Sequence, residues 1–222
     1  MLPVLQAVLF DMDGLLLDSE RLWLEAEADV MAWLGGSWGP EHQEFLVGGS
    51  LERTVAYMLD LTGAPAAPAE VGRRLLEAMA ELLRADVPMM PGARDLLDEV
   101  RAAGLPSALV SSTHRVLMEY ALDGMGRDSF TVTVAGDEVS RTKPHPEPYL
   151  AATRLLDVDP HRCVALEDSL NGATSGTAAG CHVVAVPSVV PIEEAPRRTV
   201  VSSLREVDLD RLRTLIGSPG RP

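Results

Sequence analysis

The chain has 222 residues, enough for one large domain or two small ones around a sizeable core. Lys and Arg number 19 against 33 Asp and Glu, giving −14, which excludes a general attraction for nucleic acid or for an anionic membrane surface. An anionic substrate would therefore need local neutralisation by a metal or a placed cation.

The apolar run from Val4 to Phe10 is long enough for one buried parallel strand and too short to span a membrane. It ends in Asp11-Met12-Asp13-Gly14. In an extended chain the i, i+2 spacing puts both carboxylates on one face, and Gly14 then lets the backbone turn away. On its own this is equally a strand followed by an acidic turn. Asp18-Ser19-Glu20 reads as a helix start, and Trp23, Ala26, Val30 and Leu34 recur at helical spacing with Glu25, Glu27 and Asp29 interleaved. Gly35-Gly36 closes that helix. A second helical run carries Leu51, Val55, Met58, Leu59 and Thr62, and a third carries Val71, Leu75, Met79, Leu82 and Leu83. Between about 19 and 85 no strand pattern is found.

From Pro88 strands and helices alternate. Pro91 and Gly92 open a helix to Ala103, and Leu105 to Val110 reads as a strand ending in Ser111-Ser112-Thr113. A helix through Val116, Tyr120 and Leu122 and a strand at Phe130 to Ala135 follow. Lys143-Pro144-His145-Pro146 then precedes a helix from Tyr149 to Leu156. Of the 19 basic residues, 18 are arginine and only Lys143 is lysine. Lysine offers a compact point charge where arginine offers a wide planar fork, so Lys143 marks a site that needs the compact group. Cys163 to Leu166 is a strand running into Glu167-Asp168-Ser169. A helix to Ala179, a strand at His182 to Val186, a short strand at Thr199 to Ser202 and a broken helix from Leu204 to Ile216 complete the pattern, with a frayed tail at 218–222. Cys163 and Cys181 lie beside apolar β-like runs with no metal-ligand spacing, as core thiols in a reducing compartment do. No signal-peptide or transmembrane pattern is present, and a cytoplasmic protein is expected.

This alternation predicts an α/β fold, a Rossmann-like doubly wound parallel sheet with right-handed crossovers, interrupted after its first strand by an α-helical insertion. The expected division is a core of 1–17 and 88–222 with a helical domain at 18–87. Asp11, Ser111 and Asp168 then lie at the carboxyl ends of strands, where open α/β sheets bind their ligands. Asp11, Glu167 and Asp168, converging with Asp13, would repel one another, and a divalent cation relieves this. Hard oxygen ligands without His or Cys select Mg²⁺. A phosphoryl group would add further oxygens, neutralised and oriented by Lys143 and the Ser111 hydroxyl. The set reads as a phosphoryl-transfer centre.

Phe10-Asp11-Met12-Asp13-Gly14, Val110-Ser111-Ser112, Lys143-Pro144 and Leu166-Glu167-Asp168-Ser169 resemble the four ordered motifs of the haloacid dehalogenase superfamily. The similarity extends to its branch of β-phosphoglucomutases and small sugar-phosphate phosphatases, with the insertion as the family's helical cap. The resemblance implies that Asp11 is a nucleophile forming an aspartyl-phosphate and that Asp13 is the general acid and base. It also implies Mg²⁺ held by Asp11, Asp13 (through its backbone carbonyl), Asp168 and Glu167, with Ser111 and Lys143 binding phosphate. A small phosphorylated metabolite, hydrolysed by a monomer, is the expected substrate.

A metal-independent dehalogenase would leave Asp13 and the Glu167-Asp168 pair without purpose. A phosphosugar mutase of this family carries a histidine on the first cap helix, whereas this chain reads Glu20-Arg21-Leu22-Trp23 there, so transfer to water is favoured. A non-catalytic binding module would have lost Asp11, Asp13 or Lys143, and a dinucleotide-binding domain would carry a Gly-rich turn after the first strand. Glu52 and Arg53, in Gly48-Gly49-Ser50-Leu51-Glu52-Arg53, fall where the family's substrate-specificity loop lies. Ser50 alternatively caps the next helix. Trp23 and Trp33 read as helix packing, His114 as a surface turn, His145 as a shaper of the Lys143 loop and Thr113 as a helix cap or an aid to Ser111.

Overall fold

The strand β1 (Ala7–Phe10) is buried at every position, as its unbroken apolar sequence requires of a central parallel strand. The structure, a computed structural model, describes residues 4–46 and 50–217, so Gly48, Gly49 and the expected tail at 218–222 lie outside the described residues. β1 starts three residues later than the apolar run, because Val4 is exposed and outside the ladder.

Four helices follow where three were expected: α1 (Glu20–Trp33), α2 (Pro40–Leu46), α3 (Leu51–Thr62) and α4 (Pro68–Ala85). The seven residues of α2 are too few to display a 3.6-residue period, and its opening proline, a breaker elsewhere, is tolerated at a first helical position. Ser50 caps α3 by accepting from the Arg53 backbone N–H at 3.4 Å, and Gly63, with φ 62°, ends it in the left-handed region. Val30, Met31, Val55, Met58, Val71 and Leu75 form a small core among α1, α3 and α4. The two connections to the rest of the chain run side by side: Asp18 N–H donates to Pro88 O at 2.9 Å and Met90 N–H to Leu16 O at 2.8 Å.

After α5 (Ala93–Ala102) the chain builds β2 (Ser107–Val110), α6 (Arg115–Met125), β3 (Val132–Val134), α7 (Glu147–Leu156), β4 (Cys163–Glu167), α8 (Leu170–Ala178), β5 (His182–Ala185), β6 (Arg198–Val200) and α9 (Leu209–Gly217). The six strands form one parallel sheet in the order β3-β2-β1-β4-β5-β6. Alternate residues feed opposite faces. Val8, Phe10, Leu109, Val164, Leu166 and Val184 pack under α5, α6 and α9, while Leu9, Val110, Ala165 and Val183 pack under α7 and α8. The doubly wound α/β fold with an inserted helical cap is therefore as expected from the sequence. Among the described residues no helix is long and apolar enough to cross a membrane.

Candidate active site

The register brings the motifs to one edge. Phe10 pairs with Leu109 on one side and Leu166 on the other, so Asp11, Glu167 and, one residue further along β2, Ser111 come to the same edge. Asp11 N–H donates to Leu166 O at 3.0 Å and Ser111 N–H to Val134 O at 3.0 Å, which continues the ladder one residue further and aims both side chains off the sheet. The strand order reverses between β1 and β4, the crevice where such sheets bind ligands.

Lys143 enters this edge from the loop before α7 and is buried. Its Nζ lies 2.5 Å from Asp11 Oδ1 and 2.6 Å from Glu167 Oε1, and donates to Val110 O at 2.8 Å. All three ammonium protons therefore have acceptors. Burial alone would lower its pKa, but the Asp11 and Glu167 carboxylates outweigh burial and hold the ammonium above its ordinary range. The loop is pinned from both ends: Ser175 Oγ donates to His145 O at 2.6 Å, and Glu147 N–H donates to His145 Nδ1 at 3.2 Å. His145 thus shapes the loop that presents the lysine.

Asp11, Glu167 and Asp168 are buried and each offers a carboxylate oxygen within 4.8 Å of the others, an arrangement able to hold a metal ion. Burial first, and then the charge of Glu167, push Asp11 up to about 8 against the opposing pull of Lys143. Burial, Asp11 and Glu167 raise Asp168 well above the carboxylate range, although Ser188 Oγ donates to its Oδ2 at 2.6 Å. Tyr149 O–H donates to Glu167 Oε1, and Glu167 Oε2 is buried with no hydrogen-bond partner among the described residues. An orphaned, wholly buried oxygen beside two further carboxylates fits a hard divalent cation, whose ligands are oxygens. A Cβ on Gly172 would stand 1.9 Å from Glu167 Oε2, so Gly172→Ala must displace that carboxylate. The expected result is a rise of about 10–100-fold in the Mg²⁺ concentration giving half-maximal activity, read from a metal titration.

Asp13 stands on the cavity side. Its Oδ2 accepts from Ser111 Oγ at 3.1 Å and Thr113 Oγ1 at 2.8 Å, and its Oδ1 from Trp23 Nε1 of α1 at 3.4 Å. These side chains line a cavity of about 110 Å³ between the sheet edge and the helices, walled on the far side by Glu20, Trp23, Glu27, Leu46, Leu51 and Thr54. A space of this size is small even for a drug-sized ligand.

The structure brings together Asp11, Asp13, Ser111, Lys143, Glu167 and Asp168, and it does not bring Arg53 to them. Arg53 donates to Phe45 O at 3.0 Å and lies over the Phe45 ring. Glu52 sits at the rim, 3.6 Å from His114 Nε2, so His114 links α3 to the sheet edge instead of facing solvent in a turn. Burial raises the Glu20 carboxyl to about 7, aided by the charges of Asp13 and Asp18. Trp23, Tyr149 and Glu27 are the contributors that sequence reasoning passed over; Thr113, read there as an aid to Ser111, also serves Asp13. Glu20, Trp23 and Glu27 are spaced i, i+3, i+7, the signature of one helix face, and the acid there is 5 % exposed where solvent was expected. Thr113 is no helix cap: the N-cap position of α6 is His114, and the Thr113 hydroxyl donates to Asp13. Tyr149 carried the signal of a hydroxyl on an apolar, core-facing helix, where it needs a partner.

Hexitol phosphatase B of Escherichia coli (strain K12) is 34% identical to this chain over 212 residues, covering 93% of each. The crystal structure of a CbbY variant from Rhodobacter sphaeroides in complex with xylulose-(1,5)-bisphosphate superposes with TM-score 0.86 at 31% identity, over 96% of this chain and 99% of that one. β-Phosphoglucomutase from Clostridium difficile shares the fold, with TM-score 0.81 at 20% identity over 96% and 97% of the two chains. The family of haloacid dehalogenase-like hydrolases matches residues 8–186, a span containing Asp11, Asp13, Ser111, Lys143, Glu167 and Asp168, and the chain belongs to that family.

Proposed function

We propose that the chain is a Mg²⁺-dependent phosphoric monoester hydrolase acting on a small phosphorylated metabolite, a sugar phosphate, through an aspartyl-phosphate. The observation that carries this reading is the juxtaposition of Asp11, fixed by the buried Lys143, with Asp13, fixed by three donors, in one cavity. Similarity to the hexitol phosphatase supports it.

Lys143 orients the Asp11 carboxylate, which attacks phosphorus and so divides one difficult displacement into two easier ones. Asp13 gives a proton to the leaving oxygen and later takes one from the attacking water. Lys143, its protons on Asp11, Glu167 and Val110 O, would place its charge beside the phosphoryl oxygens, Ser111 would turn its hydroxyl to them, and Thr113 and Trp23 fix the Asp13 carboxylate between its two duties. Mg²⁺, held by Asp11, Glu167, Asp168 and the Asp13 carbonyl, would neutralise the charge gathered there. In a chain whose net charge is −14, that neutralisation is what admits an anionic substrate at all.

The core comprises 1–17 and 88–222 and the cap 18–87, hinged on the paired connections at 15–18 and 86–90. One chain contributes every group invoked, so a monomer suffices. Cys163 and Cys181 are buried free thiols, which suits a cytoplasmic enzyme. Phosphatase is preferred to mutase because Trp23, a donor that cannot take up a proton, faces Asp13 from the cap.

Phosphate release from glucose 6-phosphate, sorbitol 6-phosphate and β-glucose 1-phosphate, with Mg²⁺ and with chelator, tests this reading. Release that chelator removes supports it. Conversion of β-glucose 1-phosphate to glucose 6-phosphate without release would make the enzyme a mutase. Asp13→Asn is expected to lose about 10²–10⁴-fold in turnover while phosphoenzyme accumulates from acetyl phosphate, detected by intact-mass spectrometry. Rapid turnover in that variant would remove Asp13 as acid and base.

A further inference from the structure

The cap has five arginines, and none of them lines the cavity. Arg21 is exposed on α1, Arg53 is bound to Phe45, Arg73 pairs with Glu77, Arg74 lies 4.1 Å over the Trp33 ring, and Arg84 lies over Tyr120. Residues 43, 44 and 47–49 are Gln, Glu, Val, Gly and Gly, so they add no cation either. The cap wall facing the reaction centre instead carries two carboxylates, Glu20 and Glu27, beside the hydroxyls of Ser50 and Thr54.

Glu27 is a built feature. It is 5 % exposed, and Trp38 Nε1 donates to its Oε2 at 2.9 Å. Trp38 is stacked on His42 with ring centroids 4.8 Å apart, and His42 Nδ1 lies 3.0 Å from the Tyr57 hydroxyl. Burial pushes the Glu27 carboxyl up to about 7 against the Trp38 hydrogen bond, so above that pH it is a carboxylate, which accepts strong hydrogen bonds from hydroxyl groups while repelling anions. Lys143, the compact cation of this cavity, is already shared between Asp11 and Glu167 at the phosphoryl end. The other basic side chain there, His114, sits between Glu52 at 3.6 Å and Asp137 at 3.9 Å.

We infer that Glu27, positioned by Trp38, determines specificity by accepting hydrogen bonds from substrate hydroxyls, so that the pocket takes an uncharged polyhydroxylated monophosphate and rejects a substrate bearing a second anion. This rests on the phosphatase reading for where the phosphoryl group sits. No Arg or Lys of the cap lines the cavity to meet a second phosphate.

Sorbitol 6-phosphate and 6-phosphogluconate differ at one end, CH₂OH against carboxylate, and their calorimetric affinities for Asp11→Asn protein with Mg²⁺ test the pocket without turnover. Sorbitol 6-phosphate is expected to bind about 10–100-fold more tightly. Adding Glu27→Gln, which keeps an acceptor for Trp38, is expected to narrow that ratio at least about fivefold. A mere loss of folding would weaken both ligands alike and leave the ratio unchanged. Equal or tighter binding of 6-phosphogluconate, or a ratio unmoved by Glu27→Gln, overturns the inference. Failure of the wild-type enzyme to release phosphate from acetyl phosphate and from both esters would overturn the phosphatase reading, while the affinity ratio would still decide the role of Glu27.

Discussion

Asp11→Asn is expected to abolish phosphate release, a loss of at least about 10⁴-fold, and to leave a protein that is folded and, in chelator, more heat-resistant than its parent. The amide has the shape of the carboxylate and still accepts from Lys143 at Oδ1, but it does not attack phosphorus. The gain in stability comes from charge. Burial and the Glu167 charge raise the Asp11 carboxyl to about 8, so the folded protein prefers Asp11 protonated. A raised pKa gives stability that is complete below the unfolded value of 3.8 and is lost as pH rises through about 8. Asn behaves as the neutral form at every pH, so the melting advantage of the variant in chelator should widen from about pH 4 to about pH 8 and then level off. Added Mg²⁺ should reverse the order, because the parent regains a carboxylate ligand that the variant lacks. Residual hydrolysis near the parental rate would sink the nucleophile assignment. A melting difference that stayed flat with pH would sink the electrostatic account and leave the chemistry untouched.

How much of this was legible in the sequence depends on whether the signal was local. The Val4–Phe10 run, the alternation after Pro88 and the i, i+2 aspartates are short-range patterns, and they place β1, its parallel partners and the edge bearing Asp11, Ser111 and Asp168. Lys143 was legible for a different reason. In a chain that uses arginine everywhere else, a lone lysine marks a constraint, and its three acceptors at 2.5–2.8 Å are that constraint. What could not be read is which side of a cap helix faces the core. Glu27 sits among Glu25 and Asp29 in the sequence and looks like part of a solvated face, yet the seating of α1 over the sheet edge turns it inward toward Trp38. Arg53 shows the opposite case: a basic residue in the expected loop pointed to substrate, and the structure holds its guanidinium on Phe45 O and over the Phe45 ring. The short helix α2 was hidden because seven residues do not make a period.

Lys143→Met should damage stability and activity together. Removing the ammonium leaves Asp11 and Glu167 facing each other in a buried site with their shared partner gone. Breaking a buried pair by deleting one partner costs about 3–5 kcal/mol, which for a chain of this size lowers the melting temperature by roughly 6–20 °C. Turnover should fall by at least about 10²–10³-fold, since a placed cation on developing phosphoryl charge is lost at the same time. Lys143→Arg tests whether charge alone is enough. The site asks one nitrogen to serve Asp11 Oδ1, Glu167 Oε1 and Val110 O, and a planar fork with divided donors does not converge on those three points. The Arg variant should therefore resemble the Met variant in turnover while recovering part of the lost stability. Mg²⁺ should raise the melting temperature of the Met variant more than that of the parent, because a cation then neutralises carboxylates that nothing else does. An Arg variant within tenfold of wild-type turnover would show that the compact shape of lysine is not what the site requires, and the lone lysine would then need another explanation.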